Sequence, residues 1–598
     1  MATNGFSKHA APHAHAHAHA ELDQEPPLQR AEEVEDLLTS MMELIIPFIR
    51  AADDHANTMT TTTTTTTKPQ TPNNETANPP RTVLVEHHPP EELKSLLNLS
   101  IPRTGTRKPG LLASVAQILR YSVNTWDQGF MDKLYSSTNA IGLAAELLLA
   151  VLNTNAHVYA VSPVLTLVEK HTTALLARLF FGGGGDADAC PFAGGISQPG
   201  GSASNASAIV VARNTLFPET KNTGNAGRRF VLFTSAHGHY SIEKAAQMYG
   251  FGRDAVRCVP VDTHGRMQPA ALDAMISAAK QAGETPFLVN ATAGTTVLGS
   301  FDPFEGIADV CGRHGVWMHV DGSWGGGVVF NERLRGSRLR GCERADSVAV
   351  TPHKMLQVPM TCSFLVVRDL RCVWRAMSLP AGYLFHTDPT SSNAQFNPAT
   401  TLYDLADLTP QCGRRADSLK LYLALQYHGL DYYSAMLDRA FATAAALHAR
   451  LAAHPDFVMV PYSTSPTTTT TTTPQKLPAE PPTSPPCLQV TFHHAPGGLS
   501  ADADANSAYT EALIAGLVPR GWMVDYAPGE KGKFVRVVVN AGTRAGTVDG
   551  FVRAVEEVGR ELLGRMCGGR VGSTDSMQSI STRPRITKQQ APFEPEAQ

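Results

Sequence analysis

NATAGTTVLGSFDPFEGIADVCGRHGVWMHVDGSWGGG, residues 290–327, reads as one complete strand–helix unit and the start of the next. An apolar strand over Pro286–Asn290 gives way to a turn of small residues. Asp302 is read as a helix N-cap with Pro303 at the first helical position, a pairing that satisfies free N–H groups and uses proline's fixed φ. Phe304, Ile307, Val310 and Cys311 supply the apolar face, and Gly315 closes the helix. The following strand, Val316–Val320, stops at Asp321. That carboxylate is therefore expected at the carboxyl edge of a sheet, where open α/β sheets bind ligands.

Working outward, further strands are expected at Phe230–Phe233, Ala255–Val261, Ser347–Val350 and Ser363–Val367. They alternate with helical patterns at the spacing of βα units, so residues from about 158 to 430 read as one α/β domain. Upstream, AEEVEDLLTSMMELIIPFI sets Val34, Leu37, Leu38, Met41, Met42, Ile45 and Ile46 near helical spacing, which predicts an amphipathic helix docked on the main body or a partner subunit. The His-Ala repeat His13–Ala20 and the Thr runs Thr60–Thr67 and Thr467–Thr473, each followed by Pro-rich sequence, have no composition that packs and read as disordered.

The 598 residues are 42% hydrophobic, enough for a large core, and carry a formal net charge of −4 without a dense basic tract, so no nucleic-acid partner is expected. Nine cysteines lie scattered without a CxxC pair, which suits reduced thiols. The N-terminus lacks a secretory layout, and the apolar run AAELLLAVL at 144–152 is too short to span a membrane. A cytoplasmic protein with no membrane partner is the expectation. No metal site is called for.

Thr351-Pro352-His353-Lys354 falls between two apolar strands, where a lysine is poorly solvated and its pKa falls, making it a nucleophilic amine. A lone lysine is ordinarily solvated, and Asp321 alone could equally cap a turn. Together they match what a pyridine cofactor requires: an amine for its aldehyde, an acid for its ring nitrogen and a cradle for its phosphate. QPGGSASNASAIVVARN, residues 198–214, offers that cradle, because Gly200 and Gly201 admit close backbone approach before Ser202, Ala203, Ser204 and Asn205 open a helix. In HGHY, His239 can stack on a planar ring, although a loop histidine is more often a surface hydrogen-bonding residue.

These segments, with NTNAHVYAVSPVLTLVEK (153–170), TSAHGHYSIEKAAQMYGFG (234–252), QCGRRAD (411–417) and KFVRVVVN (533–540), resemble the group II pyridoxal-phosphate (PLP) amino-acid decarboxylases. The likeness is strongest to glutamate and cysteine sulfinate decarboxylases and covers roughly residues 31–565 apart from the Thr-rich insertions. It implies an α/β protein of PLP fold type I, aspartate aminotransferase-like, with a small C-terminal α+β domain. Its implied divisions are a disordered tail (1–30), a helical segment (31–157) with a Thr-rich insertion near 57–80, a large PLP domain (158–430), a small domain (431–565) with an insertion near 464–485, and a disordered tail (566–598). A homodimer is implied too.

Carried over by residue, the resemblance makes Lys354 the anchor of the cofactor, Asp321 the partner of its ring nitrogen and His239 its stacking group. Ala203, Ser204 and His353 help hold it, Thr296 and Ser323 lie beside the ring, and Arg536 receives the substrate's α-carboxylate. The sequence departs from the family at four places. Asp132-Lys133 replaces Asn-Gln in the substrate pocket, where Lys133 can pair with a side-chain carboxylate or sulfinate. Thr351 replaces an Asn, and Gly322-Ser323 replaces two alanines. The loop from Leu384 to Leu408 is longer, with Tyr403 the candidate donor of a proton to Cα. The expected reaction is decarboxylation of an acidic amino acid, glutamate first, with cysteine sulfinate or aspartate as the alternatives. An aromatic decarboxylase or aldehyde synthase and a noncatalytic PLP-binding scaffold are the rival readings.

Overall fold

Side-chain alternation along the strands sorts the apolar residues into two clusters on opposite faces of one sheet. The computed structural model describes residues 28–61, 82–182, 190–225, 227–379, 397–460 and 484–568. Val231, Phe233, Met318, Val320, Val348 and Val350 pack on one face, while Phe230, Leu232, Trp317, Leu365 and Val367 pack on the other. Because both faces are buried, these strands read in the sequence as nearly continuous apolar runs.

The sheet consists of β1 (Gly194–Gln198), β2 (Phe230–Ser235), β3 (Val256–Val259), β4 (Thr285–Thr292), β5 (Trp317–Gly322), β6 (Ser347–Val350) and β7 (Ser363–Val367). Their order is β1-β7-β6-β5-β4-β2-β3. The pairs from β3 to β6 are parallel; β7 runs antiparallel to β6, and β1 antiparallel to β7. β1 was not expected, because GGISQ has no apolar run. Its glycines are required by packing: a Cβ on Gly195 would stand 2.7 Å from the Leu365 carbonyl oxygen.

A second, antiparallel sheet is built from β8 (Phe457–Met459), β9 (Gln489–His494), β10 (Asp525–Ala527) and β11 (Phe534–Val538), in the order β10-β11-β9-β8. The helix Ala545–Gly568 covers it, with Phe551 edge-on to Phe492 at 6.4 Å. Gln489 fastens this sheet to the large one: its Nε2 donates to the carbonyls of Thr295 (3.0 Å) and Thr296 (3.3 Å), and its Oε1 accepts from Trp324 Nε1 (2.9 Å). Residues 129–131 run alongside, with Met131 donating its N–H to Met523 and Val538 donating to Met131.

The amphipathic helix forms over Arg30–Thr61 and lies against the helices Arg107–Tyr121 and Ala545–Gly568. It thus continues to Thr61, past the start expected for the first Thr-rich insertion, just as the last helix continues to Gly568. Close to position 430, two helical stretches of Ser418–Ala452 meet at Gly429, whose φ is 78°. The His-Ala repeat, the bulk of both Thr-rich insertions and the tail beyond 568 lie outside the described residues.

Asp302 corrects one expectation. The helix begins at Phe304 with Pro303 as its cap, and the buried Asp302 carboxylate instead accepts the N–H groups of Met267 (2.7 Å) and Thr292 (2.8 Å). It ties the end of β4 to a neighbouring loop rather than capping a helix. Gly315 does end that helix in the left-handed conformation, with φ 66°. Among the described residues no helix is long and apolar enough to cross a membrane, and no group of three or more metal-ligating side chains occurs.

Candidate active site

Parallel register brings Thr292 of β4 beside Asp321 of β5, and Gly322 beside Val350 of β6. The loops leaving these strands converge at the carboxyl edge of the sheet. One carries Thr296, the next Ser323 and the third Lys354. The helix Gly201–Leu216 begins against the same edge after Gly200, whose φ of 114° suits glycine alone. A Cβ on Gly201 would come within 2.3 Å of Ser323 Oγ and 3.2 Å of Thr351 Oγ1, so the turn approaches these loops as closely as backbone can.

Asp321 is buried, and burial opposes its charge. Ser323, Lys354 and Asn205 outweigh that effect and hold its pKa below the usual carboxylate range. Oδ1 accepts the Ser323 N–H (3.0 Å) and Oδ2 accepts Asn205 Nδ2 (2.8 Å). Asn205 is fixed in turn by His319, whose Nε2 lies 3.0 Å from Asn205 Oδ1 and whose Nδ1 lies 2.9 Å from Ser347 Oγ. Burial lowers the His319 pKa to about 4, so the ring is neutral near pH 7. An amide oxygen only accepts, so the proton of His319 sits on Nε2 and Nδ1 takes the Ser347 hydroxyl proton. Trp317 Nε1 completes the chain by donating to Ser347 Oγ (2.9 Å). The chain from Trp317 through Ser347, His319 and Asn205 thus has one donor and one acceptor at each step, and the Asp321 carboxylate is its terminal acceptor.

Burial lowers the pKa of Lys354, with Asp321 opposing, which favours a free amine in front of an acid. His239 belongs to the same cluster: burial lowers its pKa while Asp321 and Lys354 act on it in opposite directions. Its Nδ1 accepts the Ser241 N–H (3.2 Å), which fixes the ring. His353 is turned the other way, with Nδ1 3.0 Å from the Cys362 amide nitrogen, and so braces the Lys354 loop. Thr351 and Ser204 share Ser363, each hydroxyl 3.0 Å from Ser363 Oγ. The Thr351 departure thereby knits the helix start to the lysine loop, and Ser204 points into that hydroxyl cluster.

The small sheet supplies Arg536 on β11. Its Nη1 donates to the Thr296 carbonyl (3.0 Å), and its Nη2 to the Asp132 carbonyl (3.0 Å) and Asp525 Oδ2 (3.0 Å). Its Nε is buried with no hydrogen-bond partner, a donor of the kind a bound carboxylate would satisfy. Lys133 Nζ reaches Asp132 Oδ1 (3.0 Å) and the same Asp525 Oδ2 (2.9 Å). The two expected substrate cations therefore stand together.

Tyr403 is not brought into this cluster. Its ring is exposed and packs 5.4 Å from Tyr159, with Lys170 Nζ 4.7 Å from its centroid. Residues 380–396 of the lengthened loop, Leu384 among them, lie outside the described residues. His319 and Asp525 are candidate site residues that the sequence reading did not assign, and Asn205, read there as part of the phosphate cradle, donates its side chain to Asp321 instead. For His319 a signal existed: a histidine inside the strand VWMHV must be buried and must find partners on its own face.

An amine, a facing carboxylate, a close glycine turn at a helix N-terminus and a stacking imidazole together fit a pyridine aldehyde phosphate. Comparison with known proteins agrees. Residues 90–468 match the pyridoxal-dependent decarboxylase conserved domain. The chain is 45% identical over 543 residues to an L-aspartate decarboxylase of Metarhizium robertsii, covering 90% of this chain and 100% of the relative. It is 35% identical over 484 residues to the human cysteine sulfinic acid decarboxylase, covering 79% of this chain and 90% of that one. The crystal structure of mouse CSAD superposes with a TM-score of 0.73 at 31% identity, over 88% of this chain and 99% of the other.

Proposed function

The chain belongs to the pyridoxal-dependent decarboxylases, and from that premise we propose that it removes the α-carboxyl group of L-aspartate, giving β-alanine and carbon dioxide. Aspartate takes the place of glutamate, the first expectation from sequence. The observation that carries this reading is the meeting of Lys133 and Arg536 on one oxygen of Asp525, which sets two carboxylate-binding cations close together. The 45% identity to an aspartate decarboxylase supports the same choice.

Pyridoxal phosphate, when bound, supplies the electron sink for the pair released as the Cα–carboxylate bond breaks. The chain's residues do the rest. Asp321, kept anionic by Ser323, Lys354 and Asn205, would hold a proton at the pyridine nitrogen. The turn at Gly200–Gly201 would receive the phosphate, and His239 would bound the ring face. Arg536 holds the α-carboxylate, orienting the bond that breaks, while Lys133 takes the side-chain carboxylate. The lowered pKa of Lys354 suits its amine to the role of the group that would hold the cofactor's aldehyde.

A homodimer is part of the proposal. Its support is the apolar surface of the helix Ala140–Leu152, where Leu143, Leu147, Leu148, Val151 and Leu152 are exposed. Sedimentation of the holoenzyme at twice the chain mass is the expected result.

The test of function is product analysis of PLP-loaded protein with aspartate, glutamate, cysteine sulfinate and an aromatic amino acid, using Lys354→Ala as control. β-Alanine and carbon dioxide from aspartate, absent in the control, are expected. Turnover confined to another substrate would refute the aspartate reading, and bound cofactor without turnover on any of them would favour a noncatalytic scaffold.

A further inference from the structure

Antiparallel register sets Asp525 of β10 directly opposite Arg536 of β11, so the two side chains leave the same face of the small sheet. Asp525 Oδ2 accepts from Arg536 Nη2 at 3.0 Å and from Lys133 Nζ at 2.9 Å. Two contacts of 2.9 and 3.0 Å through one atom leave the two nitrogens no more than about 6 Å apart. Asp132 joins through its carboxylate on Lys133 and its carbonyl on Arg536. The cluster contains two cations and two acids, drawn from β10, β11 and the segment after Met131.

The charge pattern is unusual for a site that would receive two carboxylates. Arg536 is nearly buried and held at both terminal nitrogens, so it cannot move. Lys133 has a half-exposed side chain on a flexible stem. What fixes its ammonium is the carboxylate of Asp525, with that of Asp132. A tethered Lys133 cannot retreat to follow a longer substrate. An acid with one more methylene between its carboxylates would carry the second carboxylate past Lys133 or press it against Asp525, a like-charge contact.

We propose that Asp525 is a specificity-determining residue: it holds Lys133 at a fixed distance from Arg536, matched to a four-carbon dicarboxylic acid, and discriminates against the five-carbon acid. This rests on the reading of the site as one for acidic amino acids.

The experiment uses PLP-loaded wild type, Asp525→Asn and Asp525→Ser. Asparagine removes the charge at constant shape, serine removes charge and reach, and a retained cofactor absorption band shows that a variant has folded. kcat and KM are measured separately for aspartate and glutamate. Dissociation constants for unreactive succinate and glutarate are read from the shift of the cofactor band. In the variants the aspartate-over-glutamate ratio of kcat/KM should fall at least tenfold, chiefly through a lower KM for glutamate. Glutarate should gain on succinate by a similar factor, and Asp525→Glu, which keeps the charge, should retain most of the discrimination. Ratios within twofold of wild type in both neutral variants would overturn the role of Asp525 while leaving the acidic-substrate reading intact. A wild type that binds neither succinate nor glutarate would overturn both.

Discussion

Asn205 stands 2.8 Å from Asp321, its amide nitrogen donating to the carboxylate while its oxygen is held by the ring of His319. The orientation of Asn205 is therefore set from behind, by a neutral imidazole with one possible proton position. Asn205→Ala removes a hydrogen bond to a buried charge, a loss of about 1.5–3 kcal/mol. Retention of PLP, measured as a dissociation constant by absorbance, and kcat should both fall by about ten- to a hundredfold. A variant with wild-type values in both would show that Asp321 needs no support from the helix.

Arg536→Lys is not a conservative change here. The guanidinium distributes its donors over the carbonyls of Thr296 and Asp132 and the carboxylate of Asp525, which a single ammonium cannot reproduce. Arg536→Gln also leaves Asp525 with Lys133 as its one remaining cation. Truncating a buried charged partner costs roughly 2–5 kcal/mol. We expect KM for the acidic substrate to rise at least about tenfold in the lysine variant and further in the glutamine variant, read by steady-state kinetics.

Asp302 gives a pH-dependent stability that can be isolated. Burial pushes its carboxyl up to about 7, against two N–H donors. The folded chain holds this proton more tightly than the unfolded chain, whose carboxyl titrates near 3.8. The contribution to stability is therefore full below pH 3.8, is lost as pH rises to about 7, and is level above that. Asp302→Asn lacks this linkage. Between pH 4.5 and 8 the stability difference between variant and wild type should move in the variant's favour by about 3 kcal/mol. Thermal melts at matched scan rates check it.

Arg414, in QCGRRAD, is buried and pairs with the buried Glu169 at 2.5 Å, and it also donates to Ser197 Oγ on β1 (3.0 Å). Glu169 accepts the Ser197 N–H as well (2.9 Å), so the pair locks an edge strand that has little apolar area of its own. Glu169→Gln leaves the guanidinium without a compensating charge and should cost about 3–5 kcal/mol. The exposed pair Lys94–Glu91 should contribute less than about 1 kcal/mol when broken. Chemical denaturation of the three proteins side by side makes the comparison.

The parallel strands were legible because both faces of the sheet are buried, which leaves runs such as Phe230–Phe233 apolar throughout. β1 was not, because its strand character comes from pairing with β7 and from the Glu169–Arg414 lock, neither of which leaves a local pattern. Asp302 misled for a related reason. An acid before Pro-Phe is the local signature of a cap, but a long-range demand from the Met267 and Thr292 amides took the carboxylate. At the site, Asp321 and Lys354 stood out because each is a polar residue ending or following an apolar strand. The partnership of Asp525 with Lys133 could not be seen in advance, since the two lie 392 positions apart and meet only when the segment after Met131 runs beside the small sheet.

The rivet made by Gln489 has a wider meaning. The groups that would carry out bond cleavage ride on the large sheet, while those that would choose the substrate ride on the small sheet and the strip beside it, and Gln489, with Arg536 on the same Thr296 carbonyl, joins the two. Selection acting on such a molecule can rewrite a few outward positions, 133 and 525 among them, and change the diet of the enzyme without disturbing its engine. The same division marks where a protein engineer should begin.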